Sequence, residues 1–195
     1  MAASNYFDTI QKVYTAFYQR PADPAGLYYW AQRVDLAGGD TSSVINNFAT
    51  SEEAGRLYGT IDTTTIGSVI DKVYLALFNR TPDETGKQFY IDNFTAGTFT
   101  AGTIVLRILD GAQNNDAVAI QNKLEAANLF TKTLDPEQDG IGPFTATYDA
   151  AADETAARDW LAGVTFDPLT RQTQSQVTAE IQANIANAGD PILDQ

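Results

Sequence analysis

Carboxylates are the main side chains left for catalysis in this sequence, because its 195 residues include no histidine and no cysteine. Without these two residue types, the usual nucleophilic triads, zinc sites, thiol chemistry and disulfide bonds are excluded. Paired carboxylates could still act as acid and base, as they do in glycoside hydrolysis. The adjacent pairs Glu52-Glu53 and Asp153-Glu154 are the nearest candidates, but both fall where a predicted helix face meets solvent. The sequence therefore predicts a protein that is not an enzyme.

Residues 133–146 contain half of a metal-binding pattern. Asp135, Glu137 and Asp139 alternate and Gly140 follows, which matches positions 1, 3, 5 and 6 of a calcium loop of the EF-hand type. Calcium prefers such hard oxygen ligands, but the twelfth position, where a bidentate glutamate belongs, is Ala146. The segment predicts either a Ca²⁺ site with these three carboxylates as ligands or a plain acidic turn.

Aromatic and amide side chains offer a different chemistry, the recognition of sugars. Aromatic faces stack on sugar rings, while amides and carboxylates bond the hydroxyl groups. The residues that carry this hypothesis are Tyr28, Tyr29, Trp30 and Asn93. Tyrosine and phenylalanine are also enriched at protein interfaces. The predicted contacts between copies of the chain are Tyr28, Tyr58, Phe99 and Phe144, with an ordinary place in the core as the alternative.

An internal repeat organises the first two thirds of the chain. Residues 12–26 recur as residues 72–86, with seven of fifteen positions identical and an aromatic pair after each copy. Such a repeat predicts two copies of one packing unit. In each copy, apolar residues follow the spacing of a helix with one buried face. That helix must end before Pro21 or Pro82, because the residue before a proline is pushed out of helical geometry.

A charged pair flanks each of the two proline turns. The pairs are Arg20 with Asp23 and Arg80 with Asp83, and each aspartate is also a predicted N-cap of the next helix. We expect each pair to be a structural ion pair or cap that holds the corner. The alternative is that the arginines face outward and bind an acidic group on a sugar or on a neighbouring subunit.

The fold class predicted from this pattern is all-α. Two repeats, at about 8–60 and 66–120, would each contain roughly three helices and share one core. With a closing helix at 116–131, they would form a duplicated domain over residues 1–132. Residues 133–146 predict a loop and boundary, since they hold two prolines and two glycines. The remainder, 147–195, predicts further helices at 147–163 and 170–188.

The last predicted helix carries a thin apolar stripe. Val177, Ile181 and Ile185 recur at a spacing of four, with amide and hydroxyl side chains beside them. Such a stripe could dock on the core of its own chain or on a second copy, and the sequence leaves both open.

Charge and composition limit the partners of this chain. With 12 Lys and Arg against 25 Asp and Glu, the net charge of -13 argues against nucleic acids and against an anionic membrane surface. No apolar stretch approaches the roughly 20 residues of a membrane span, and no classical signal peptide is visible. These facts alone favour the cytoplasm. The absence of cysteine and the scarcity of lysine are instead typical of type I-secreted proteins, and the short acidic tail at 187–195 is compatible with their uncleaved C-terminal signal.

The repeated motif resembles a widespread bacterial domain of undetermined function. The resemblance covers residues 8 to about 120 and rests on Tyr14, Arg20, Asp23, Gly26, Trp30, Gly39, Phe48, Ser51 and Glu52. In the second copy, Tyr90 replaces the tryptophan and Gly111-Ala112 replaces Ser-Glu. That family occurs in secreted calcium-binding repeat proteins and S-layer proteins. A weaker similarity exists to phycobilisome linker domains, which tend to be basic.

The resemblance and the composition together predict a structural protein at the bacterial exterior. It would assemble with copies of itself into a surface layer, filament or matrix, with Ca²⁺ as a candidate aid. The second hypothesis is a carbohydrate-binding module that anchors to envelope polysaccharide. A third is an intracellular linker or scaffold, which the absence of a visible signal peptide permits.

Overall fold

The predicted all-α class is confirmed. A computed structural model describes residues 2–148 and 151–186, and these form ten α-helices and no strand. The first repeat holds α1 (Phe7–Phe17), α2 (Pro24–Leu36), α3 (Ser42–Ala49) and α4 (Glu52–Tyr58). The second holds α5 (Ile66–Phe78), α6 (Glu84–Thr95) and α7 (Ile104–Asp110). The long α8 (Asn114–Leu134), then α9 (Ala151–Ala162) and α10 (Gln174–Asn184), complete the described chain. Short 3₁₀ turns lie at Ala3–Tyr6 and Pro168–Thr170.

The proline turns end and restart helices as the sequence predicts. The side chain of Asp23 accepts a hydrogen bond from the Gly26 amide at 2.6 Å, and that of Asp83 accepts one from the Gly86 amide at 2.8 Å. Each aspartate has extended backbone angles and so caps the helix that follows it. The two N-caps therefore have the same geometry in both repeats.

The first repeat contains one helix more than the sequence predicts. About three helices were expected in this repeat, but its third part is divided, since α3 ends at Ala49 and α4 begins at Glu52. The reason is local, because Ser51 adopts extended backbone angles and its hydroxyl accepts a hydrogen bond from the Ala54 amide at 3.1 Å. A serine in this conformation is an N-cap and starts a new helix. In the second repeat, the corresponding stretch forms the beginning of α8.

Helix α8 joins the repeats to the C-terminal helices. It packs against α1, α2, α5, α9 and α10. Its early residue Ile120 belongs to the core of the repeats, whereas Phe130 and Leu134 belong to a second cluster with the C-terminal segment. The stripe on α10 is buried in that second cluster: Val177, Ile181 and Ile185. The stripe thus docks on the core of its own chain.

Several sequence predictions fall partly outside the described residues. Residues 149–150 are not described, and they belong to the helix predicted at 147–163. Residues 187–195 are not described either, and they hold the end of the helix predicted at 170–188 and the whole predicted secretion tail. Within the described ranges, no helix combines the length and the apolar character needed to span a bilayer.

Candidate functional site

The motif residues of the first repeat converge on the Arg20 guanidinium. Arg20 is buried, and its Nε and Nη2 donate to the two carboxylate oxygens of Glu53 at 2.9 and 3.0 Å. Nη2 also donates to Glu154 at 3.1 Å, and Nη1 donates to the Tyr148 hydroxyl at 3.3 Å. Glu154 and Tyr148 belong to the C-terminal segment, so this cluster fastens that segment to the first repeat.

The predicted pair of Arg20 with Asp23 is a minor part of the cluster, since its nearest atoms are 4.0 Å apart. Asp23 instead accepts hydrogen bonds from the Gly26 amide and from the Tyr14 hydroxyl, the latter at 3.1 Å. Gly26 leaves room for this contact, because a Cβ atom at that position would overlap the Tyr14 hydroxyl. Four residues of the recognised motif therefore have a packing or hydrogen-bonding role.

Glu53, the strongest partner of Arg20, was expected with Asp153 on a helix face that meets solvent, but both side chains are buried. The motif was read as ending at Glu52, but the Glu52 side chain is 99% exposed and lies 4.0 Å from Arg56. Glu53 also accepts a hydrogen bond from Arg158 at 2.8 Å. The reason is the register of α4, whose second residue, and not its first, faces the corner. The N-cap signal of Ser51 could have located that register.

Aromatic rings enclose the same guanidinium. Its central carbon lies 5.4 to 5.5 Å from the ring centres of Tyr14, Tyr18 and Tyr148. Burial raises the pKa of the Tyr148 hydroxyl above its ordinary value, so this group stays neutral at physiological pH. Arg20 therefore faces inward, and the arrangement is that of a structural corner, with no face of the guanidinium open to a ligand.

The second repeat builds its corner differently. The Arg80 side chain is 45% exposed, and it donates to the two carboxylate oxygens of Asp116 at 3.1 and 2.6 Å. Asp83 caps α6 and has no ion pair with Arg80 among the described residues. The two arginines are equivalent in sequence, but only the first is buried.

The acidic loop after α8 forms a turn. Asp135 is buried, and its two carboxylate oxygens each accept a backbone hydrogen bond at 2.9 Å, from the Gln138 and Gly140 amides. One oxygen of Asp139 accepts hydrogen bonds from the amides of the two residues after Gly140, while Glu137 is exposed. Across residues 2–148 and 151–186, no group of three or more potential ligands could hold a metal ion. The structure thus does not bring the three predicted calcium ligands together.

The predicted sugar and interface residues do not form one site. In the first repeat, Tyr28 lies in a groove wall, Tyr29 is exposed beside Arg33, Trp30 packs on Phe48, and Tyr58 is buried in the core. In the second repeat, Asn93 donates to the Phe89 carbonyl oxygen and Phe99 packs on Tyr90. Phe144 lies after α8 and is half-buried. Of this set, Tyr28 has the setting of a ligand-binding residue.

Tyr28 lines a cavity of about 500 Å³ between α1, α2, α8 and the acidic turn, which we call the α8 groove. Its aromatic wall consists of Phe7 and Tyr28, whose rings meet edge to face with centres 6.3 Å apart. Aliphatic Leu27 and Leu129 extend that wall. Its polar lining residues are Asp8, Glu125, Asn128, Thr131, Lys132, Asp135, Gln138 and Gln172. An apolar wall with convergent polar groups is the usual composition of a small-molecule site.

The α8 groove adjoins two further cavities, with which it shares lining residues. One, of about 560 Å³, shares Phe7, Asp8, Tyr28 and Gln138 with it. The other, of about 360 Å³, shares Asp8, Glu125 and Asn128 with it. All three cavities share Asp8, so they adjoin one another and together offer a ligand more room than the central cavity alone.

The carboxylates of the α8 groove are already engaged by hydrogen-bond donors. Asp8 accepts a hydrogen bond from Asn128 at 2.9 Å. Glu125 accepts hydrogen bonds from Gln121 and Arg171, each at 2.9 Å, and these two donors hold the pKa of Glu125 below its ordinary value. With the turn-forming Asp135, these groups are placed as acceptors and as fixed parts of the wall.

Sequence reasoning singled out two residues of the α8 groove, Tyr28 for sugar or interface contacts and Asp135 as a calcium ligand, and missed the others. Phe7, Asn128 and Lys132 were not singled out, because they come from helices far apart in the sequence. A partial signal was present on α8. Glu125, Asn128, Leu129 and Lys132 fall at offsets of 0, 3, 4 and 7, which places them on one helix face.

Comparison with models of protein families gives one match, at residues 45–118. No curated protein and no solved structure matches the chain. The matched range begins in α3 and ends early in α8, so it includes none of the residues that line the α8 groove. The chain contains, at residues 45–118, a domain of unknown function, DUF4214.

Proposed function

We propose that this protein is a non-enzymatic carbohydrate-binding module whose α8 groove holds a segment of a polysaccharide. The observation that carries the proposal is the composition of this groove, with the Phe7 and Tyr28 rings on one wall and amide and carboxylate groups around it. Its central cavity of about 500 Å³ falls within the range of roughly 300–1,000 Å³ that is usual for ligand sites.

The chemistry of the groove fits a sugar chain. A sugar ring presents an apolar face of C–H groups, which packs on an aromatic side chain, and a rim of hydroxyl groups. Asn128 and Gln138 supply amide donors and acceptors for such hydroxyls. The neighbouring cavities would receive the next sugar residues of the chain.

Binding without turnover is favoured by the state of the groove carboxylates. A glycosidase needs one carboxylic acid with a raised pKa that can donate a proton. The pKa of Glu125 is lowered by its donors, and both oxygens of Asp135 accept backbone amides. These groups are suited to hold a ligand in place.

We place the protein at the cell surface or outside the cell. The support is its acidic, cysteine-free composition and the resemblance of its repeated motif to a domain of secreted and envelope proteins. Immunodetection on whole cells and in culture supernatant tests this placement. Detection in the cytoplasmic fraction alone would exclude it.

Self-assembly is a second candidate, favoured by one difference between the repeats. Leu75 of α5 is 61% exposed, whereas its counterpart Thr15 on α1 is buried. Phe89 on α6 is also 53% exposed. Light scattering with millimolar calcium, and again with a chelator, tests this candidate and any calcium assistance. A constant monomer mass in both buffers would exclude it, and growth to large particles that Leu75→Ser abolishes would support it.

The carbohydrate proposal is tested with a glycan array followed by calorimetry on the best oligosaccharide. We expect Tyr28→Ala to weaken binding at least about tenfold, because the stacking surface is lost, which corresponds to about 1.4 kcal/mol. The matched control is Tyr29→Ala, which removes the adjacent, exposed ring on the same helix outside the groove and should leave affinity unchanged. An empty array, or equal losses in both folded variants, would contradict the proposal.

A further inference from the structure

A further cavity, of about 530 Å³, lies between the end of α9 and the first turns of α10, and we call it the Trp160 cavity. Trp160 of α9 lines it on one side, and Gln176, Ala179 and Glu180, which share one face of α10, line it on another. Gln172, from the connection between the two helices, lines both this cavity and the α8 groove. The two cavities therefore adjoin at Gln172.

The Trp160 ring is held in place by the core. It packs on the ring of Phe130 with centres 5.2 Å apart, and Trp160 as a whole is half-buried. The other tryptophan, Trp30, packs on Phe48 and lines neither cavity. The accessible part of the Trp160 ring is thus an apolar surface of fixed orientation, on which the C–H face of a sugar ring can pack.

Two glutamine amides beside Trp160 offer complementary groups. Gln172 donates its Nε2 to the Thr170 carbonyl oxygen at 2.8 Å, which leaves its Oε1 as an acceptor. Gln176 accepts a hydrogen bond from the Thr173 amide at 2.9 Å with its Oε1, in the capping box that begins α10, which leaves its Nε2 as a donor. Neither remaining atom has a partner within the described part of the chain. One acceptor and one donor match the two roles of a sugar hydroxyl.

The charges of both cavities favour an uncharged ligand. In the Trp160 cavity, Glu180 is the one ionisable group of the described lining, and it accepts a hydrogen bond from Asn184 at 2.8 Å. The α8 groove has three acidic lining residues and one lysine, so it disfavours an anion. A cation would meet no fully buried carboxylate beside Trp160. A neutral sugar chain avoids the cost of desolvating a charge in either cavity.

We propose that the Trp160 cavity is a second saccharide subsite, which receives the continuation of an uncharged oligosaccharide seated in the α8 groove. This inference rests on the proposed carbohydrate binding. The sugar chain would cross at Gln172, with one ring packed on Tyr28 and another on Trp160.

The direct test makes Trp160 the only tryptophan of the chain. The chain has two tryptophans, and Trp30→Tyr removes the other one, at a position where the second repeat carries Tyr90. The probes are β-linked hexasaccharides of glucose, mannose and galactose, with any uncharged oligosaccharide that the glycan array retains. We expect quenching of Trp160 emission by acrylamide to fall at least about twofold at saturation, because a bound sugar covers the accessible part of the ring.

A second variant tests the cavity and leaves Trp160 in place. Ala179 is exposed on α10, so Ala179→Leu fills part of the cavity and should weaken binding in calorimetry at least about fivefold. The matched control is Ala183→Leu, the same change one helical turn later at an exposed position outside the cavity, which should keep the affinity. Tyr28→Ala should raise the ligand concentration at the midpoint of the Trp160 signal by the same factor as it weakens binding in calorimetry, because one sugar chain occupies both cavities.

The results that overturn this inference differ from those that overturn the proposed function. Unchanged quenching of Trp160 by an oligosaccharide whose binding Tyr28→Ala weakens would remove the second subsite and leave the carbohydrate proposal standing. Equal losses in Ala179→Leu and Ala183→Leu, a Trp160 midpoint that Tyr28→Ala does not move, or binding of charged oligosaccharides alone would do the same. Failure of every hexasaccharide to bind, together with an empty glycan array, would overturn both.

Discussion

At the scale of single residues, Lys123 is the most unusual group in the chain. Its side chain is almost fully buried on α8, and its Nζ donates to the Leu161 carbonyl oxygen in the last turn of α9. Burial lowers the pKa of Lys123 from 10.5 to about 8, because the charged form is poorly solvated there. A lysine at a helix C-terminus also satisfies a carbonyl group that would otherwise lack a partner.

This pKa shift predicts that stability rises with pH. The unfolded chain holds the Lys123 proton up to about pH 10.5, whereas the folded chain releases it near pH 8. Because the unfolded state binds more protons in this window, the free energy of unfolding should increase, by about 2 kcal/mol between pH 7 and 9.5. Urea unfolding at several pH values measures this change.

The window ends below pH 10 because buried tyrosines act in the opposite direction. Burial raises the pKa of Tyr14, Tyr58 and Tyr148, so ionisation of tyrosine in the unfolded chain lowers stability above pH 10. Lys123→Met should abolish the rise, and Lys132→Met, at an exposed position on the same helix, should keep it. A wild-type protein whose stability is flat or falls from pH 7 to 9.5 would contradict this account.

Individual residues were predictable where their signal is local. The N-caps Asp23 and Asp83 could be read from the proline turns, since an N-cap bonds an amide three residues away. The partners of Arg20 could not, because Glu53 and Tyr148 are 33 and 128 residues from it in sequence. Spacing along one helix carries no information about such distant contacts.

At the scale of elements, the two repeats use one turn for different purposes. In the first repeat, the turn between α1 and α2 holds the buried Arg20, which bonds α4 through Glu53 and α9 through Glu154. In the second, the turn between α5 and α6 holds the half-exposed Arg80, which bonds only α8, through Asp116, among the described side chains. The turn occurs in both repeats, but only the arginine of the first bonds side chains of the C-terminal segment.

This asymmetry predicts unequal losses of stability. Arg20→Met should lower the free energy of unfolding by about 3–5 kcal/mol, because it leaves buried carboxylates without their main partner. Arg80→Met, its matched control in the second repeat, should cost about 1 kcal/mol or less, because its ion pair is exposed. Urea unfolding of the two variants at neutral pH measures both. Equal losses would show that burial of Arg20 does not matter.

The turn after α8 resembles the proline turn between α1 and α2. Asp135 is followed by proline, as Asp23 is, and it accepts the amide of the residue three positions later. Asp135, one of the three carboxylates that match half of a calcium loop, therefore caps a turn. Alternating acids before a glycine could not be told from such a turn by sequence, since both need the same residue types.

Helix positions followed well from apolar spacing, prolines and caps, and the remaining differences have a physical cause. The break between α3 and α4 depends on the backbone angles of Ser51, which apolar spacing does not specify. The docking of α10 depends on which surface is free to receive its stripe. Because α8 exposes Phe130 and Leu134 to that stripe, the chain's own core receives it.

At the scale of the whole molecule, α8 both closes the core and forms one wall of the groove. The groove combines residues from Phe7 near one end of the chain to Gln172 near the other. Its existence depends on how α1, α2 and α8 pack, so the sequence could single out the aromatic Tyr28 but not the residues that surround it in the groove. Fold class was predictable from periodicity, whereas the site needed tertiary structure.

The most direct test of the central claim is a ¹H–¹⁵N chemical-shift map of the labelled protein with a saturating oligosaccharide from the glycan array. The account predicts that the largest changes cluster at Phe7, Tyr28, Asn128 and Lys132, along the α8 groove. Changes centred on the exposed Phe89 of the second repeat, or no change at all, would contradict a carbohydrate site in that groove.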